Sequence, residues 1–153
     1  MDVKVETLPP MRVACVRHTG PYNECNPAWE TLFQHAGQQG WMSPETQCLG
    51  LCHDDPDTTP DEKIRYDACV TVGPDAQASD PVKLAELPGG EYATFIHKGP
   101  FDQIAASYKQ FYSDWLPSSG REQAAAPHIE FYLNDPKSTP PEKLETRVCV
   151  PLK

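Results

Sequence analysis

Apolar positions recur along this chain in two rhythms. Runs rich in Val, Ala, Ile, Phe and Thr cover residues 12–19 and 91–98, and each predicts a strand. Gly20-Pro21-Tyr22 and Gly99-Pro100-Phe101 end these runs and turn the chain. Helical spacing follows. Trp29, Leu32, Phe33 and Ala36 fall on one helical face, with Asn26 as N-cap, Pro27 at the first position, and Gly37 or Gly40 as the stop. Phe101, Ile104, Ala105, Tyr108, Phe111, Tyr112 and Trp115 repeat the pattern, and Pro117 is expected to end that helix. Two further strand pairs are predicted, 47–53 with 64–72 and 128–134 with 144–152. Each pair is joined by an acidic, proline-bearing loop. Residues 3–8 and 82–87 each add an edge strand, the first expected to belong with the first half of the chain.

The two halves match. Ala14-Cys15-Val16-Arg17-His18-Thr19-Gly20-Pro21-Tyr22 aligns with Ala93-Thr94-Phe95-Ile96-His97-Lys98-Gly99-Pro100-Phe101 at an offset of 79. Residues 54–70 align with 134–150 at an offset of 80, with eight identities in 17 positions. These are Asp55, Pro56, Thr59, Pro60, Glu62, Lys63, Cys69 and Val70, against Asp135, Pro136, Thr139, Pro140, Glu142, Lys143, Cys149 and Val150. The expected architecture is an α+β fold and a single domain over 1–153. It is built from duplicated strand-helix-strand-strand units, about 1–78 and 79–153, related by a pseudo-twofold axis. One amphipathic helix leaves part of a small sheet uncovered. Pairing of two such units, with a central groove between them, is the expected solution.

Composition narrows the function. The 153 residues carry 13 Lys and Arg against 22 Asp and Glu, a net charge of −9. That acidity opposes direct nucleic-acid binding and suits cationic small molecules or basic protein surfaces. Mean hydropathy is −0.57, and no apolar run approaches membrane-spanning length. The first residues lack a signal-peptide pattern, so a cytoplasmic protein is expected. The six cysteines, Cys15, Cys25, Cys48, Cys52, Cys69 and Cys149, include no CxxC pair. Buried, reduced thiols are expected. The acidic loops lack the spacing of a calcium site, and no phosphate loop, GxSxG or HExxH is present, so no metal or cofactor is expected.

Several motifs together resemble the GyrI-like domain. They are Leu8-Pro9-Pro10-Met11-Arg12-Val13-Ala14, Arg17-His18-Thr19-Gly20-Pro21-Tyr22, and Ile64-Arg65-Tyr66-Asp67. Leu87-Pro88-Gly89-Gly90-Glu91-Tyr92-Ala93, His97-Lys98-Gly99-Pro100 and Ile129-Glu130-Phe131-Tyr132-Leu133-Asn134 continue the match in order along the chain. The resemblance implies a domain that also serves as the effector-binding half of AraC-type and MerR-type regulators. There it binds bulky, often cationic and aromatic, molecules. Stand-alone members include a DNA gyrase inhibitor and hydrolases of cyclopropane-bearing genotoxins. The resemblance therefore leaves three readings open: ligand capture, hydrolysis in the same groove, and inhibition of a gyrase-like protein. A DNA-binding module is not expected, because the match fills the chain.

The family pattern singles out Glu130, in a strand reading apolar-Glu-apolar-Tyr. Alternation divides this strand into Ile129, Phe131 and Leu133, expected to face the helix, and His128, Glu130 and Tyr132, expected to face the groove. The repeat partner of Glu130 is Gly50, which would leave room beside a single carboxylate. An unpaired carboxylate in an apolar groove favours protonation or a cationic ligand. Aromatic walls are sought in Trp29 and Tyr108, which are repeat-related, with Tyr132 and Trp41. Trp29 and Tyr108 fit a plain helix-to-sheet core equally well. If the protein is an enzyme, Glu130 is the expected catalytic residue. His18 and His97, each two residues before a Gly-Pro turn, are expected to make structural hydrogen bonds.

Overall fold

The computed structural model describes all 153 residues. Antiparallel strands and a few helices form two compact units. One is contiguous, Pro9–Gly89; the other is split, Met1–Leu8 with Gly90–Lys153. No helix is long and apolar enough to cross a membrane.

The contiguous unit contains β2 (Met11–Thr19), α1 (Asn26–Gln39), β3 (Cys48–Cys52), β4 (Arg65–Thr71) and β5 (Lys83–Leu87). The split unit contains β1 (Lys4–Leu8), β6 (Gly90–Lys98), α2 (Ile104–Gln110), α3 (Leu116–Ser119), β7 (His128–Tyr132) and β8 (Glu145–Pro151). Strand order is β3-β4-β2-β5 in the first and β1-β6-β8-β7 in the second. The assignment of β1 therefore differs from the expectation. It pairs with β6, Leu8 opposite Gly90, rather than joining the contiguous unit; there β5 lies along β2, Met11 opposite Leu87. A strand signature specifies a pleated segment, but its partner depends on which sheet edge the chain can reach.

In each unit helical residues cover one face of that unit's strands. Ala28, Leu32 and Ala36 of α1 are buried, and Leu32 packs with Ala14, Val16, Tyr66, Ala68 and Val70. Phe33 shares the predicted apolar stripe but stays 42% exposed, stacked on Trp29 at 5.5 Å. The cap is Cys25 rather than Asn26, with Pro27 in the first turn, and left-handed Gly40 (φ 69°) ends the helix. In the split unit Phe111 is fully buried against Ala93, Phe95, Val148 and Val150.

The second helix does not stop at Pro117. A π-helical turn, Phe111–Trp115, links α2 to α3, and the end comes at left-handed Gly120 (φ 72°). Proline removes an N–H donor and crowds the carbonyl four residues back. The wider π turn loosens that crowding, and Ser118 donates its hydroxyl to Asp114 O (2.9 Å) and Trp115 O (3.0 Å), satisfying carbonyls there. The Gly-Pro turns are tied as expected. His18 Nε2 bonds Pro21 O at 2.8 Å, and His97 Nε2 bonds Pro100 O at 3.0 Å. All six cysteines are free thiols.

Candidate functional site

β7 sets the geometry. Its register places Glu130 opposite Val148 and Ile129 opposite Cys149. Val148 belongs to the cluster packed under Phe111 and the helix, so Glu130, with His128 and Tyr132, lies on the helix-covered face. This reverses the expected orientation: Ile129 and Phe131 are buried on the other face. Alternation separates the two sets correctly but carries no label for which face the helix will cover.

Glu130 is only 8% exposed, and both its oxygens accept phenol hydrogen bonds. Tyr108, from α2, donates to Oε2 at 2.6 Å; Tyr132, two residues along β7, donates to Oε1 at 3.0 Å. The carboxylate expected to be unpaired is thus solvated by two neutral hydroxyls. Rings surround it. Tyr108 stacks on His128 (5.6 Å, 20°) and meets the edge of Phe95 (6.1 Å). Tyr132 meets exposed Phe101 edge-on at 5.6 Å. His128 Nε2 lies 2.9 Å from the Tyr112 hydroxyl and 2.6 Å from Gln123 Nε2, extending the polar network along the strand.

The structure therefore brings Glu130, Tyr108 and Tyr132 into one hydrogen-bonded group. His128, Tyr112 and Phe101 join its surroundings without having been singled out as site residues. One signal was available for His128: it lies two residues from Glu130, on the same face of the strand. The other candidates belong to the contiguous unit. Trp29 packs on that unit's helix-covered core. Trp41 follows Gly40, lies 5.1 Å from His35, and lines a cavity of about 220 Å³ with Ser43, Thr46 and Thr71. Gly50 is buried in β3 opposite Ala68, so two small residues leave that stretch of the helix-covered face low.

A second buried carboxylate has different company. Asp67, in β4, is also 8% exposed and receives Arg17 Nε and His53 Nε2, the latter at 2.7 Å. Burial pushes its pKa up, but the hydrogen bonds from His53 and Arg17 outweigh that and hold it below the usual carboxylate value. It lies on the face away from α1, and the sequence reading did not single it out.

Chemically, a carboxylate held by phenols and ringed by aromatic faces can balance a positive charge and stack flat apolar groups. The chain is 32% identical over 157 residues to the probable transcriptional regulator YgiV of Escherichia coli strain K12, covering 99% of this chain and 96% of YgiV. The crystal structure of the EcmrR C-terminal domain matches with a TM-score of 0.79 at 17% identity, covering 99% of this chain and 97% of that one. The structure of SAV2435 bound to tetraphenylphosphonium matches with a TM-score of 0.64 at 18% identity, covering 100% and 94%. A family model described as the GyrI-like small molecule binding domain matches residues 1–153, and the chain belongs to that family.

Proposed function

We propose that this protein captures bulky aromatic cations, with Glu130 as the anionic partner and Tyr108, Tyr132 and Phe101 as aromatic contacts. The observation that carries the reading is the state of Glu130. It is only 8% exposed, and hydrogen bonds from Tyr108 and Tyr132 hold its carboxylate among aromatic rings. A ligand cation beside this carboxylate interacts with it where little water competes. Ring faces add about 0.5–2 kcal/mol per cation–π contact. The net charge of −9 favours the approach of cations over anions. SAV2435, which shares the fold, was solved with tetraphenylphosphonium bound, so that ion is a sensible first probe.

Isothermal titration calorimetry with tetraphenylphosphonium tests this, using neutral triphenylphosphine oxide as the comparator. Wild type is expected to bind the cation tightly, and Glu130→Gln to lose roughly ten- to hundredfold, in line with about 1.5–3 kcal/mol for a charge-assisted contact. Affinity for the neutral comparator is expected to change by less than about threefold. Equal cation affinity in the two proteins refutes the role of the carboxylate.

A further inference from the structure

We propose that Cys15 and Cys69 are a dithiol modification site, converted by a small peroxide into a reversible cross-strand disulfide within the contiguous unit.

The strand register fixes the geometry of this pair. Cys15 of β2 lies directly opposite Cys69 of β4. Ladder bonds from Val72 N to Arg12 O (3.0 Å) and from Gly20 N to Ile64 O (2.7 Å) bracket the pair. Arg12 and Gly20 are each an odd number of residues from Cys15, so Cys15 and Cys69 form a non-hydrogen-bonded pair. Such pairs have Cα atoms about 4.5 Å apart and bring side chains closest, inside the range of about 4.4–6.8 Å that disulfides span. The two Sγ atoms are already 2.7 Å apart. Closing to a covalent S–S distance of about 2.05 Å therefore needs little backbone movement.

The split unit offers an internal control. There Cys149 stands opposite Thr94 in the matching strand pair. It is equally buried, and burial pushes its thiol up to about 12, but no sulfur faces it across the ladder.

Access orders the steps. Cys15 is 8% exposed and Cys69 is fully buried, its thiol pushed well up by that burial. The Cys15 sulfur attacks hydrogen peroxide; the O–O bond breaks, Cys15 becomes a sulfenic acid, and one water leaves. The Cys69 sulfur then attacks the Cys15 sulfur. The S–S bond forms, the S–O bond breaks, and the Cys69 proton leaves with the second water. Two thiols are oxidised by two electrons and one peroxide is reduced to two waters. A dithiol reductant reverses the change by exchange.

The full chain is exposed to hydrogen peroxide, unfolded in iodoacetamide without reductant, and digested with trypsin. Cleavage after Arg12, Arg17, Arg65 and Lys83 places Cys15 in residues 13–17 and Cys69 in residues 66–83, each the sole cysteine of its peptide. The expected product is these two peptides joined, lighter than their sum by two hydrogens, and separated by dithiothreitol. Cys149 stays alkylatable. The oxidised protein is expected to melt roughly 5 °C higher, and Cys15→Ser to abolish that shift. Separate alkylation or separate over-oxidation of Cys15 and Cys69, or linkage of either to another cysteine, overturns the proposal. The wild-type peptide map decides this even if the variant fails to fold.

Discussion

Glu130 and Asp67 are buried to the same degree, each 8% exposed, yet different kinds of side chain bond to them. Asp67 is met by a guanidinium and an imidazole, and its charge is answered inside the contiguous unit. Glu130 accepts hydrogen bonds from the phenols of Tyr108 and Tyr132. The first arrangement holds strands together. The second sets a carboxylate among aromatic rings, which is the setting the proposed cation site rests on. Burial alone does not distinguish the two carboxylates; the chemistry of their surroundings does.

Stability separates the two most sharply. Asp67→Ala leaves Arg17 and His53 facing each other without their acceptor, and is expected to cost about 2–3 kcal/mol. That is below the usual 3–5 for a broken buried pair, because the Arg17 side chain is 49% exposed and partly screened. Glu130→Gln removes a buried charge while keeping an acceptor for at least one phenol, so its unliganded stability is expected within about 1 kcal/mol of wild type. Urea unfolding of both variants checks this. Equal losses would erase the distinction.

Smaller effects concern the phenols. Tyr108→Phe and Tyr132→Phe keep the rings and remove one hydrogen bond each. Each is expected to change tetraphenylphosphonium affinity by about three- to tenfold, the cost of about one hydrogen bond, with the larger effect at Tyr108, whose bond is shorter at 2.6 Å. Calorimetry distinguishes this from a purely structural role, in which affinity follows stability instead.

The smallest effect is in acid. The folded pKa of Asp67 is depressed, so its contribution is complete above the unfolded carboxylate value of about 3.9 and fades as pH falls through the lower folded value. Wild-type unfolding free energy is expected to fall more steeply below about pH 4 than that of Asp67→Asn. Parallel curves would mean that Arg17 and His53 do not stabilise the charged form.

Much of this arrangement can be read from particular residues. The Gly-Pro turns follow from glycine and proline chemistry, and their histidine ties from matching positions in the two halves. The alternation around Glu130 correctly groups it with His128 and Tyr132. It could not say that this group lies beneath α2, because a period of two is symmetric between faces. Pro117 reads as a helix stop only if the preceding turn is α-helical; the π turn removes the clash on which that reading depends. Asp67 was invisible as a charge centre because its partners come from β2 and from the residue after β3, distant in sequence.

Strand and helix positions and the sorting of side chains into two faces were therefore determined by local rules: backbone conformational preference, residue period and turn chemistry. The pairing of β1 with β6, the choice of covered face and the partners of each buried carboxylate were decided only in three dimensions. Those depend on which distant segments compete for the same edge, face or proton, and that competition is settled by packing.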